Sequence, residues 1–327
     1  MVRLRRIPPH RLAVYLSIGM ALEVSAYPKP GNVHRLRDFR DTKFEDFIIA
    51  ATFSQYHFLK GILRGIRIRR GIVGKVVFGD LIKGVVRDSI RISGGGNTSL
   101  GTSLLLTPLS IALGYLHDIN TDVELSEIPK AATELLREFS TSFDTISFYE
   151  AIRMAKPGDV KVANLSDIPQ RYRINAWDPD YVSKILDGNV TLWEIFHYSA
   201  VRDLNSDEVV NGYPRVLNLV NFLSSRLDIH GDWNRAVVEA FLMQLSREYD
   251  TFILKKHGVV IARYVSERAG ELFNYCLSNE WHGCYRKLLM FDDELHLKDV
   301  NPGSTADLIA TAISLYVLTR RTNVIRR

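Results

Sequence analysis

The sequence predicts an all-α fold, on three observations. Apolar residues recur at helical spacing along most of the 327 residues. Strand-like runs are confined to "GIVGKVVFG" at 71–79 and "FILKKHGVVIA" at 252–262. The regular alternation of strand and helix that marks a doubly wound sheet is missing.

Taken in order, helices are expected over about 10–26, 43–64, 98–115, 126–139, 141–155, 190–203, 214–226, 232–249, 264–281 and 304–319, with a fainter pattern near 80–91. Residues 156–180, with Pro157-Gly158, Pro169 and Pro179, read as a long surface connection. There is no internal repeat, low-complexity block or long flexible linker, so residues 1–327 are expected to form a single, mainly helical domain.

An apolar fraction of 46% and a charged fraction of 24% suit a chain that buries a sizeable core. The net charge of +5 is modest, and much of the excess sits in "MVRLRR" and "RRTNVIRR" at the tips. That distribution fits an anionic ligand or solvated tails. With no aromatic–basic interleaving and no helix-turn-helix signature, nucleic acid is not the expected partner.

Cys276 and Cys284 form neither a metal-like pairing nor a disulfide framework, so a reducing cytoplasm is the default expectation. The nine histidines show no zinc-ligand spacing. The start, with basic residues and then the apolar run 12–22, loosely imitates a secretory signal. However, Arg11 abuts that run and Glu23 closes it, so it is read as a helix. No stretch reaches about 18 uninterrupted apolar residues, and no membrane span is expected.

Chemistry-bearing residues gather where helices end. In the first helix, Leu12, Leu16, Gly19 and Glu23 share one face, which aligns a carboxylate with core residues one turn before "YPKPGNVHR". Such an acid is costly unless it meets a cation, a metal or hydrogen-bond donors, or else is a solvated helix-end glutamate. In "SGGGNTSLG", Gly94, Gly95 and Gly96 allow close backbone approach. Asn97 can cap the helix that follows, and the first amides after it suit phosphate. The Gly-Lys-Ser/Thr ending of a Walker sequence is absent. In "NPGSTADL", Ser304 and Asp307 have capping-box spacing, while Asp307, Thr311 and Ser314 also form a polar strip on an apolar helix. Both readings stand. In "EYDTFILKKHG", Asp250-Thr251 ends one helix, and Lys255, Lys256 and His257 follow.

In this order and at these separations, "EVSAYPKPGNV", "GGGNTSLG", "GYPRVL", "YDTFILKKHG" and "NPGSTADLIAT" resemble the CitG/MdcB family of triphosphoribosyl-dephospho-CoA synthases over about Glu23 to Thr311. Bacterial members typically read Asn-Thr-His-Lys-Gly where this chain has Asn97-Thr98-Ser99-Leu100-Gly101. The resemblance implies an all-helical enzyme. It would move the ribose of ATP, triphosphate still attached, to a hydroxyl of 3′-dephospho-CoA or another CoA-like nucleotide acceptor, with adenine leaving. A non-catalytic nucleotide-binding relative is the other reading.

Displacement at a ribose carbon builds oxocarbenium-like charge and asks for a carboxylate, a base and a phosphate cradle. The carboxylate candidates are Glu23, Asp250 and Asp307, of which Glu23 and Asp307 are also candidates for Mg²⁺. Lys29, Gly31, Asn32, His34, Arg35, Gly95, Gly96, Asn97, Thr98 and Ser304 are expected to hold phosphates or orient oxygens. Lys29, His34, Arg35 or Lys255 would supply the charge missing at Ser99-Leu100. The stretch 116–210 carries no chemical motif and is where acceptor specificity would reside. A homo-oligomer is compatible with all of this.

Overall fold

The computed structural model describes residues 2, 4–39, 41–117, 122–156, 168–278 and 280–320. The described residues form fifteen α-helices and no strand. These are α1 (Pro9–Ser25), α2 (Phe44–Arg69), α3 (Gly79–Ser93), α4 (Leu100–His117), α5 (Glu127–Phe139), α6 (Ser142–Ala155), α7 (Tyr181–Asp187), α8 (Leu192–Ser199), α9 (Leu204–Val210), α10 (Pro214–His230), α11 (Trp233–Arg247), α12 (Thr251–His257), α13 (Val259–Ser278), α14 (Trp281–Leu297) and α15 (Gly303–Arg320).

The core is built on α1, α2, α4 and α15, which pack on one another. Every residue of α4 from Thr102 to Gly114 is buried, as is every residue of α15 from Leu308 to Leu318. A helix apolar on all sides belongs inside a bundle. That position accounts for the apolarity of α4, whose length and composition alone would suit a membrane span. Helices α2 and α4 approach closely because Gly65 and Gly114 present no side chain; a Cβ on either would strike the backbone of the other helix. On α1, Leu12, Leu16, Gly19 and Glu23 are all buried, as their spacing requires.

Both strand candidates are corrected. The run at 252–262 is helical because Asp250 Oδ1 accepts from the amides of Phe252 (2.9 Å) and Ile253 (3.1 Å) and starts α12. Gly258, at φ 84°, then separates α12 from α13. The run at 71–79 never pairs with a neighbour. Its amides at Val77, Phe78 and Gly79 all donate to Asp144 Oδ1, at 2.7–2.8 Å. The helix expected at 190–203 divides into α8 and a 3₁₀ turn and stops at Asp203, the cap of α9, while α7 and α14 were not anticipated. Much of the expected connection 156–180 lies outside the described residues; its remainder contains a 3₁₀ turn, and α7 begins directly after it.

The cysteine reading is also corrected. Cys276 on α13 and Cys284 on α14 are joined by a buried disulfide, which the turn between the two helices makes possible. The absence of disulfides therefore no longer argues for a reducing compartment.

Asp144 ties the 77–79 turn to α6 and also caps α6 through Thr141. Replacing it with alanine orphans three buried donors and a cap, so Asp144→Ala should lower the unfolding free energy by about 3 kcal/mol. Asp144→Asn keeps an acceptor oxygen and should lose less than half as much. Urea titration of the two variants reads this directly, and equal losses would contradict the assigned role of Oδ1.

Candidate active site

The loop after α1 neutralises itself. Lys29 Nζ donates to Glu23 Oε1 and, at 2.8 Å, to Asn32 Oδ1, and both charged partners are buried. Burial raises the Glu23 carboxyl and lowers the Lys29 ammonium, and their mutual attraction opposes both shifts. Glu23 and Asn32 line the cavity described below, whereas Lys29 lies behind them, 0% exposed.

The rest of the loop is latched to α14. Asp292 Oδ1 accepts from the amide of Gly31 (2.9 Å) and lies 3.1 Å from His296 Nδ1, while Asp292 Oδ2 is 3.2 Å from His34 Nε2. Gly31 takes φ 76°, which suits glycine at that turn. Burial would raise the Asp292 carboxyl, but hydrogen bonds and charge from His296 and His34 outweigh it and hold it near 2. Arg35 turns away, its guanidinium 4.5 Å from the Tyr27 ring centre and bonded to Ser25 O. None of Gly31, His34 and Arg35 lines the cavity.

The glycine-rich loop divides between structure and site. Gly95 packs against the Asp46 carboxylate and the amide of Gly96 donates to Asp41 O (2.6 Å), so these two shape the loop without lining the cavity. Asn97 Oδ1 accepts from the amides of Ser99 (3.2 Å) and Leu100 (3.0 Å) and caps α4. Asn97, Thr98, Ser99, Leu100 and Gly101 all line the cavity, and Thr98 Oγ1 is buried with no partner among the described residues.

Asp250 and Asp307 part company. Besides starting α12, Asp250 accepts from the amide (2.7 Å) and hydroxyl (2.9 Å) of Thr305 through Oδ2. It therefore caps α15 from another element and does not line the cavity. Ser304 lines it and shares a hydrogen bond of 3.0 Å with Thr251. Asp307 is recessed in the cavity wall and half-buried, and its Oδ2 accepts from Asn205 Nδ2 at 2.9 Å. Gly101 makes room for that carboxylate, since a Cβ there would overlap Asp307 Oδ2 and Asn205 Nδ2. No lysine or arginine pairs with Asp307 among the described residues; the charges acting on it are those of Glu23, Asp250 and Asp203. Burial first, and these acids second, raise its carboxyl well above the ordinary range, against the Asn205 hydrogen bond. Of the polar strip on α15, Thr311 and Ser314 bond backbone carbonyls inside the bundle, which leaves Asp307 to face the cavity.

The cavity has a volume of about 550 Å³, within the range of small-molecule sites. Its polar wall comes from the ends of α1, α4, α12 and α15 and from the start of α9. Its apolar wall comes from the stretch without motifs: Phe148, Tyr149 and Ile152 of α6, Ile168 and Ile174–Trp177, and Ile195 of α8. Sequence reasoning missed Arg202, Asp203, Asn205 and Asn301. Asp203 caps α9 by accepting from the amide of Asn205 (3.3 Å) and lies 3.5 Å from Lys255. Asn301 Oδ1 accepts from Asn32 Nδ2 at 3.0 Å. A helix-start signal at Asp203 was the only hint the sequence offered. Of the four cations expected to face phosphate, Lys255 lines the cavity, and Arg202 joins it.

The oxygen donors here suit a hard cation. Among the described residues Asp307 has no cation partner, Asp203 stands nearby, and Asn205 Oδ1 and Thr98 Oγ1 are buried without partners. Among the described residues no three acidic, histidine or cysteine side chains group tightly enough to hold a metal unaided. Glu23, paired with Lys29, is a weaker ligand than its sequence position suggests.

Asp307 titrates higher in the folded chain than in the unfolded one. Its contribution to stability is thus fully present below the ordinary carboxylate range and is lost as pH rises through the raised value. Asp307→Asn removes that loss while keeping an oxygen for Asn205. In the absence of nucleotide, the variant should match wild type near pH ~4 and gain on it as pH rises, with a slope below about 1.4 kcal/mol per pH unit. Thermal melts across pH test this; a difference that does not vary with pH contradicts it.

The family profile described as CitG, ATP:dephospho-CoA triphosphoribosyl transferase, matches residues 9–325. Among solved structures the fold is similar to that of a candidate triphosphoribosyl-dephospho-CoA synthase from Archaeoglobus fulgidus. The TM-score is 0.58 and the identity 23%, over 83% of this chain and 97% of that one. At that identity the likeness speaks for the fold. Curated protein sequences offer no match. With residues from four of its five motifs on one cavity and the family profile spanning nearly its whole length, the chain belongs to the CitG family of transferases.

Proposed function

We propose that the cavity transfers the triphosphoribosyl group of ATP to the hydroxyl of an acceptor, with 3′-dephospho-CoA as the first acceptor to try. The observation that carries this reading is Asp307: a recessed carboxylate without a cation partner, in a wall that also leaves Thr98 Oγ1 and Asn205 Oδ1 without partners. Leaving such groups unmet is expensive unless a ligand meets them.

In the reaction the C1′–N9 bond of ATP breaks with its electron pair going to adenine. The acceptor oxygen forms the new bond to C1′, and its proton passes to a base. Positive charge on the ribose favours ionised Asp307, which is therefore assigned to the anomeric carbon. Asp203, partly exposed and paired with Lys255, is assigned to the acceptor's proton. Lys255 and Arg202 are assigned to the triphosphate, and Asn97 and Ser304 hold the helix starts beside it. Asp250 shapes the start of α15, and Glu23 with Lys29 fixes Asn32. The unmet oxygens of Asn205 and Thr98, with phosphate oxygens of ATP, are the groups that would hold Mg²⁺ entering with it. Bound there, the ion would neutralise phosphate charge that two cations leave in excess. Because ATP is the donor, the reaction is expected in the cytoplasm.

Chromatographic measurement of free adenine, with Mg²⁺, ATP and 3′-dephospho-CoA or other alcohols, tests the reading. Wild type should release adenine only when an acceptor is present. Asp307→Asn should lower kcat at least about 100-fold, and Lys255→Ala should raise the KM for ATP about tenfold. ATP binding without adenine release from any acceptor would contradict the reading and mark a nucleotide-binding protein.

A further inference from the structure

Positive charge is scarce in this cavity, and that limits what can share it with ATP. Among the described lysines and arginines, Arg202 and Lys255 line it, alongside the carboxylates of Glu23, Asp203 and Asp307. Lys29 cannot be added to this supply, since it is buried and donates to Glu23 and Asn32. A triphosphate alone outnumbers these two cations. The wall that remains is mainly apolar and carries no charge among the described residues: Phe148, Tyr149, Ile152, Ile195 and, at 52% exposure, Trp177 form it, with Asn175 and Ser199 as its neutral polar side chains. The Tyr149 hydroxyl donates to Ile174 O at 3.1 Å, so the residue offers the cavity a ring and no free donor. Among the described cations on this side, Arg153 donates to Ala176 O and lies over the rings of Trp177 and Tyr181, Arg173 donates to Ile168 O, and neither lines the cavity.

Phosphate charge moved from water onto such a wall would be left unpaired, which is strongly unfavourable. A flat ring or an apolar chain gains from burial there. Resting on the transfer reaction above, we infer that the acceptor enters as an uncharged alcohol with an aromatic or apolar body, in preference to a diphosphate-bearing one such as dephospho-CoA. The balance is unchanged. The alcohol oxygen bonds to C1′ of ATP, the C1′–N9 bond breaks, and adenine leaves carrying the electron pair and, in net terms, the alcohol's proton.

The test uses the full chain with saturating Mg²⁺ and ATP labelled in its adenine ring. Release of labelled adenine is followed against three probes: 3′-dephospho-CoA and its two phosphate-free halves, adenosine and pantetheine. One of the halves should give a kcat/KM at least tenfold above that of dephospho-CoA. Leu100→Lys adds a cation to the polar wall and should shift that ratio about tenfold toward dephospho-CoA. Dephospho-CoA as the best acceptor of wild type overturns the inference while leaving the transfer reaction standing. An unchanged ratio in folded Leu100→Lys overturns the charge argument behind it. No labelled adenine from any probe overturns both readings together.

Discussion

A single acid without a counter-charge organises the site. Asp307 stands near the start of a helix whose later turns are all core, which fixes its backbone at the cavity wall. Its carboxylate is steadied by Asn205 alone, and α4 tolerates it only because residue 101 has no side chain. Around it the other acids are dealt with differently. Glu23 is neutralised by Lys29, Asp250 is consumed by the amides of two helices, and Asp203 faces Lys255. What remains uncompensated is one carboxylate, and it faces the cavity. Perturbed acids of this kind collect at functional sites because the protein bears a stability penalty for them.

The fold explains how distant segments meet there. Helices α1, α4 and α15 are core on their long axes, and their ends at Glu23, Leu100 and Gly303 open on the same space. A rigid interior thus fixes the polar wall, as a catalytic constellation needs. The loop between α1 and α2 is held from the far side by Asp292 of α14, itself tied to α13 by the Cys276–Cys284 disulfide. The apolar wall comes from α6, α8 and the residues between them, a stretch with no motif in sequence. On the proposed reaction, acceptor choice would fall mainly to the apolar wall and donor chemistry to the polar one.

The helical class was legible because periodicity reports burial, and of the two readings left open for Glu23 by its line with Leu12, Leu16 and Gly19, the structure takes the buried one. Direction across a loop was not legible. Lys29, His34 and Arg35 lie within six residues of one another, yet one points to Glu23, one to Asp292 and one to solvent over Tyr27. The run at 252–262 looked like a strand because its two short apolar stretches, on either side of Lys255–Gly258, carry too little period to tell helix from strand. A cap at Asp250 and a break at Gly258 decided for helix. Asn205 and Asp203 were invisible because an asparagine and a capping aspartate look the same whether or not a cavity lies beside them. The disulfide depended on a turn between two helices, the second of which periodicity did not reveal.

The central claim is that Asp307 is uncompensated, and infrared spectroscopy of its carboxyl reads that state most directly. In nucleotide-free protein titrated upward from acid pH, the account predicts a protonated-carboxyl band, absent from Asp307→Asn, that persists above the ordinary carboxylate range before it is lost. A wild-type spectrum from which Asp307→Asn subtracts only ionised carboxylate would contradict it.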